Sequence, residues 1–143
     1  MISLQLSDLA RVLGVAVQGA DAPITGLAID SRAVTTGDLF VAIRGDRVDG
    51  SDFIEKALAR GAAAVVSSQA LSHTIPHLTV ADSGTACAAF GRLARESFDG
   101  VVVGITGSAG KTTAKAFLAA ICACTDRTVA TDGNQNNELG VPL

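Results

Sequence analysis

Seven consecutive residues, Gly107-Ser108-Ala109-Gly110-Lys111-Thr112-Thr113, have the types and spacing needed to grip a phosphate chain. Gly107 and Gly110 let the backbone turn sharply and approach phosphate oxygens with no Cβ in the way. The N–H groups of such a loop face the anion, and the helix that follows adds the positive end of its dipole. Lys111 would reach the outer phosphates as a point charge, which makes it the candidate catalytic residue. The Thr112 hydroxyl is the candidate ligand for Mg²⁺. The strict pattern G-x-x-x-x-G-K-[ST] requires glycine at 105, where Ile105 stands. The match is therefore to a T-G-x-x-G-K-T-T variant, Thr106 to Thr113. A glycine-rich turn without a ligand is the plain alternative.

Three further groups carry chemistry more ambiguously. Asp30-Ser31-Arg32, followed by Gly37-Asp38-Leu39-Phe40-Val41-Ala42, offers a hydroxyl and a guanidinium fork at a strand end. These could hold a diphosphate or a sugar, or simply make a turn with an Asx cap. Gly45–Gly50 places Asp46, Arg47 and Asp49 between glycines, as a binding loop or a solvated charged turn. Asn134, Asn136 and Asn137 sit on a loop after a strand-like run, at the kind of edge where open α/β sheets bind ligands. His73 and His77 read as surface residues, Cys122 and Cys124 as small core fillers, and Lys115 as the solvated face of a helix.

The elements that must position these groups follow from periodicity. Leu6, Leu9, Ala10 and Leu13 mark a short helix, with Ser7 as its cap and Gly14 as its stop. Ile24–Ile29, Leu39–Ile43, Ala62–Ser67 and Leu78–Ala81 read as strands. A helix capped by Ser51 and ended by Gly61 lies among them, with Ile54, Ala57 and Leu58 as its stripe. Ala86, Ala89, Phe90, Leu93, Ala94 and Ser97 share one face of a longer helix. Val101–Ile105 is almost wholly apolar, as a strand buried on both faces would be. The helix after the glycine loop carries Ala114, Phe117, Leu118 and Ile121 as its stripe, and Arg127–Thr131 reads as a further strand. The fold class is α/β: a small α/β domain over residues 1–80, then the first part of a P-loop parallel-sheet ATPase domain over 81–143.

Composition narrows the classes. The 143 residues are 48% hydrophobic, enough for a packed core, and the formal net charge is only −3. A nucleic-acid surface would need clustered Lys/Arg excess, and a base-stacking platform would need aromatics, yet Trp and Tyr are absent. Three cysteines with no paired spacing fit free thiols in a reducing compartment. No stretch reaches the length of a membrane span, so a cytoplasmic protein with no membrane insertion is expected.

Taken together, Thr106–Thr113, Asp30-Ser31-Arg32 with Gly37–Ala42, and Gly45 with Asp49-Gly50 resemble the Mur ligases. These are ATP-dependent, amide-forming enzymes of peptidoglycan precursor synthesis. Gly61-Ala62-Ala63-Ala64-Val65-Val66 extends the likeness. Gly133–Pro142 is similar to the branch that adds D-alanyl-D-alanine to UDP-N-acetylmuramoyl-tripeptide; the sibling branch that adds the third amino acid usually carries threonines there.

The resemblance implies that residues 1–80 hold the UDP end of the substrate and that 81–143 begin the ATP domain. Gly107, Ser108, Ala109, Gly110, Lys111, Thr112 and Thr113 would bind ATP, with Asn136 and Asn137 near its phosphates. Ser31, Arg32, Asp46, Arg47 and Val48 would lie near UDP. ATP and Mg²⁺ are the implied cofactors, and a monomer is expected. The family's later acidic metal ligands, modified lysine and C-terminal domain fall outside these residues. An N-terminal fragment, inactive alone, is therefore the expectation. A sibling Mur ligase, or a non-catalytic nucleotide-binding module, remains the alternative.

Overall fold

Leu39 and Val41 enter one hydrophobic core, while Phe40 and Ala42, between and beyond them, enter another. That alternation is the pleat of a strand buried on both faces, and it organises the molecule. A computed structural model of the protein describes residues 4–45, 48–72 and 74–131.

The strands are β1 (Leu4–Gln5), β2 (Val17–Gln18), β3 (Pro23–Ile24), β4 (Gly26–Ala28), β5 (Asp38–Val41), β6 (Ala64–Ser67) and β7 (His77–Thr79). The helices are α1 (Leu6–Leu13), α2 (Ile54–Ala59), α3 (Ser83–Glu96) and α4 (Lys111–Cys122). A five-stranded sheet runs in the order β2-β7-β6-β5-β4. Its members β4, β5, β6 and β7 are mutually parallel, and β2 is antiparallel to β7. The carboxyl ends of four strands therefore share one edge. β1 and β3 form a separate two-stranded antiparallel pair.

One face of the sheet buries Leu39, Val41, Ala64, Val66 and Leu78 against α1 and α3. Phe40, Ala42 and Val65 on the other face pack with Ile54 and Ala57 of α2 and with Val34. Each large side chain buried here contributes about 1.5–3 kcal/mol of hydrophobic stabilisation. α3 joins the first core through Ala86, Cys87 and Phe90. The β4–β5 crossover holds no helix; Val34, 2% exposed, pins it to the sheet. Arg60 Nε donates to the Val34 carbonyl at 3.4 Å and reinforces that anchor.

Local chemistry explains where elements begin. α1 has Gln5, not Ser7, at its cap, where Asp8 accepts the Gln5 N–H at 3.1 Å in a reciprocal capping box. The Ser7 N–H goes instead to Asp21 Oδ1 at 2.9 Å. Gly14 ends α1 at φ 67°, as expected. The second helix starts as a 3-10 turn, Gly50–Phe53, capped by Asp49 rather than Ser51, because the carboxylate accepts the Ser51 N–H. Gly37, at φ 94°, and Asp38 close the crossover: the Asp38 carboxylate accepts the Thr35 N–H at 2.7 Å and its hydroxyl at 3.0 Å.

Several expectations are corrected. Val101–Ile105 and Arg127–Thr131 pair with no strand among the described residues, and Val101, at 90% exposed, lies open to solvent. An apolar run predicts burial but supplies no ladder partner. For the same reason the expected stripe of α4 is uncovered: Phe117 and Ile121 are each 68% exposed. His77 is buried on β7, with Nδ1 2.9 Å from the Ile75 carbonyl. Cys124 lies beyond the end of α4 and is exposed, while Cys122 is half-buried. Lys115 is half-buried, and its ammonium donates to the Thr131 carbonyl. His73 lies outside the described residues.

Candidate functional site

The carboxyl ends of β4, β5 and β6 deliver the first set of functional residues to one edge. Ser31 and Arg32 follow β4, and the hairpin of Arg44, Val48 and Asp49 follows β5. Gln69 follows β6. In open parallel sheets this edge is where ligands bind.

Asp30 and Arg32 form a fork at that edge. Arg32 donates from Nε to both carboxylate oxygens, at 3.0 and 3.1 Å, and from Nη2 to Oδ2 at 2.7 Å. Asp30 also accepts the Arg32 backbone N–H at 2.9 Å, so the Asx turn weighed from sequence is present. The guanidinium hydrogen bonds hold the Asp30 carboxyl down at about 2. The Arg32 side chain stays 88% exposed, while Ser31 is buried. The turn and the binding role are compatible, since a guanidinium held at one side keeps donors for a second anion.

The neighbouring hairpin is tied at several points. Arg44 and Asp49 face each other in an antiparallel bridge, and the Gly45 N–H donates to the Val48 carbonyl at 2.9 Å. Gly50 is required where the hairpin leaves: a Cβ there would sit 2.6 Å from the Ile43 nitrogen. Asp49 is the hub, accepting the Ser51 N–H at 2.9 Å and Gln69 Nε2 at 3.2 Å. Hydrogen bonding from Ser51, with the Arg44 charge nearby, keeps the Asp49 carboxyl below its ordinary range. Val48 is 55% exposed. Asp46 and Arg47 lie outside the described residues. Sequence reasoning missed Arg44 and Gln69; the acid-glycine pair Asp49-Gly50 was the only local hint of the hub.

The glycine loop forms the second candidate site. Gly110 caps α4 at φ 78°, a conformation that glycine tolerates and other residues resist. A Cβ at Gly110 would meet nothing within 4 Å, so the approach to the helix end is open. The first-turn N–H groups of α4 lack intrahelical acceptors by the geometry of any helix. Lys111 Nζ donates to the Gly107 carbonyl at 2.5 Å, which places the ammonium over the loop. Thr112 and Thr113 are exposed beside it. Open backbone donors, a helix N-terminus, a poised ammonium and an accessible hydroxyl fit a magnesium-bound phosphate chain. Asn134, Asn136 and Asn137 lie outside the described residues. Among the described residues no cluster of three His, Cys, Asp or Glu side chains could hold a metal.

The chain resembles known proteins over its whole length. Residues 23–93 match the Mur ligase family, catalytic domain. Over 146 aligned residues the chain is 42% identical to the UDP-N-acetylmuramoyl-tripeptide–D-alanyl-D-alanine ligase of Escherichia coli (strain K12), covering 100% of this chain and 32% of that protein. The chain belongs to the Mur ligase family. The fold agrees. A crystal structure of MurF from Acinetobacter baumannii superposes with a TM-score of 0.84 at 32% identity, over 99% of this chain and 32% of that one. MurF ligase from Thermotoga maritima, solved in complex with ADP, superposes with a TM-score of 0.68 at 38% identity, over 81% and 27%. This Mur ligase chain thus spans about a third of the length of the relatives it matches. The family match on 23–93 runs from β3 into α3 and so takes in the carboxyl-edge site; the alignment with the E. coli relative reaches the glycine loop as well.

Proposed function

We propose that the full-length protein is a cytoplasmic, monomeric ligase that uses ATP and Mg²⁺ to join D-alanyl-D-alanine to UDP-N-acetylmuramoyl-tripeptide in peptidoglycan precursor synthesis. The observation that carries the reading is the relation to the E. coli ligase across the whole chain, glycine loop included. No helix among the described residues is long and apolar enough to cross a membrane.

In this reading the sheet's carboxyl edge, with Ser31, Arg32, Asp46, Arg47 and Val48, holds the UDP end. The loop Gly107–Thr113, with Asn136 and Asn137, holds the ATP phosphates. Residues 1–80 would form the UDP-substrate unit and 81–143 would begin the ATP unit, with α3 packed onto the sheet of the first.

The chemistry follows from the need to make a carboxylate an acyl donor. A terminal carboxylate oxygen of the tripeptide bonds to the γ-phosphorus, and ADP leaves. The amine of D-alanyl-D-alanine then bonds to the acyl carbon, inorganic phosphate departs, and the amine gives up a proton. Lys111 exchanges the Gly107 carbonyl for a phosphoryl oxygen and neutralises charge that gathers there. Thr112 would ligate Mg²⁺, which when bound screens the phosphate charges.

The test is product analysis. Full-length protein with UDP-N-acetylmuramoyl-tripeptide, D-alanyl-D-alanine, ATP and Mg²⁺ should yield the UDP-linked pentapeptide by mass spectrometry. Formation of a different amide, or none, overturns the assignment.

A further inference from the structure

Arg32 and Arg44 follow neighbouring parallel strands, Arg32 in the turn after β4 and Arg44 in the bridge after β5. Ala28 of β4 pairs with Phe40 of β5, and each arginine lies four residues beyond its member of that pair. Both therefore leave the sheet at its carboxyl edge, and both are exposed, at 88% and 73% of their side chains. We propose that Arg44 is a substrate-binding residue: the second guanidinium for the diphosphate of the UDP-linked substrate, beside Arg32. The inference rests on the reading of this edge as the UDP site.

The two arginines differ in how their donors are engaged. Arg32 makes three short contacts to Asp30. Arg44 Nε lies 3.8 Å from Asp49 Oδ2, close enough for attraction but beyond a hydrogen bond. Its side chain makes no hydrogen bond to a described residue, so the planar fork keeps its donors for an anion. The Asp49 carboxylate has other obligations, to the Ser51 N–H and to Gln69 Nε2. It orients Arg44 without consuming it.

The backbone beneath Arg44 is fixed. The Arg44–Asp49 bridge, the Gly45–Val48 bond and the Gly50 N–H donated to the Ile43 carbonyl at 2.9 Å set the hairpin. Gln69 brings that hairpin to the exit of β6 through Asp49. A guanidinium on a braced hairpin suits bidentate recognition of a phosphoryl group. A diphosphate presents two such groups, one for each arginine, whereas a nucleoside presents none.

The test separates diphosphate from nucleoside recognition in the full-length enzyme. Arg44→Ala should raise KM for UDP-N-acetylmuramoyl-tripeptide about tenfold, the scale of a lost charge-assisted bond. It should leave kcat and KM for ATP unchanged. Competitive inhibition by UDP should weaken by the same factor and inhibition by uridine should not, while Arg44→Lys should keep part of the UDP effect. An unchanged KM, or equal weakening of UDP and uridine, overturns the assignment of Arg44. Wild-type enzyme that UDP does not inhibit overturns the reading of the whole edge.

Discussion

The Lys111 ammonium donates a hydrogen bond to the carbonyl of Gly107, four residues back at the opening of the glycine loop. The contact stretches the lysine across the loop that its own helix begins. The charge is thus held where a phosphate chain would enter, and the carbonyl is a neutral partner that an anionic oxygen displaces.

Lys111→Ala in the full-length enzyme should therefore cost about 10²–10³ in kcat, the scale of losing one electrostatic stabiliser of a transferred group. Because the loop is exposed, folding should be unaffected. Steady-state kinetics with circular dichroism as the control checks both. Wild-type kcat would remove Lys111 from the catalytic role.

Gly50→Ala tests the hairpin that carries Arg44. The added Cβ would meet backbone, with the Ile43 oxygen at 2.7 Å and the Ala42 carbonyl carbon at 2.9 Å. Backbone cannot swing aside as a flexible side chain can. We expect a loss of about 1–3 kcal/mol in urea unfolding.

Phe40→Ala should be as damaging from the other direction. Phe40 is 1% exposed and fills the core between the sheet and α2. Deletion of its ring should cost about 3–5 kcal/mol, read from the shift in the denaturation midpoint.

The Asp30–Arg32 fork gives a pH signature. The Asp30 carboxyl sits at about 2, below its ordinary 3.8, chiefly because Arg32 donates to it. A depressed carboxyl contributes stability that is complete above its ordinary value and is lost as pH falls through the folded one. The fork should hold down to about pH 3 and open near pH 2. A carboxyl-carbon NMR titration should show that midpoint, and Arg32→Ala should move it back up.

The thiols should differ in reactivity. Cys87 is buried on α3, and burial, with the Asp82 charge nearby, pushes its thiol up to about 11. Cys124 is exposed. Brief alkylation of the folded protein at pH 8 should label Cys124 and spare Cys87, as peptide mapping would show.

Much of this was legible from local pattern. Leu6, Leu9 and Ala10 with Gly14 gave α1 its face and its stop, and the apolar runs at Leu39 and Ala64 gave the central strands. The glycine loop could be read because phosphate chemistry leaves a contiguous signature. What could not be read is chemistry assembled across the chain. Gln69 meets Asp49 over 20 residues of separation, and Arg44 and Arg32 reach one edge only because β4 and β5 are parallel neighbours. His77 looked exposed because a polar type next to proline suggests a surface loop, yet the edge pairing of β7 with β2 buries it. Val101–Val103 showed the reverse failure: their apolarity asks for a covering partner, and a sequence pattern cannot say which segment provides it.

The most direct test of the account is substrate-dependent ADP release by the full-length enzyme, with UDP-N-acetylmuramoyl-tripeptide and D-alanyl-D-alanine supplied singly and together. The account predicts sustained turnover only with both, slowed about 10²–10³-fold by Lys111→Ala. Sustained ATP hydrolysis that ignores the UDP-linked tripeptide would contradict it.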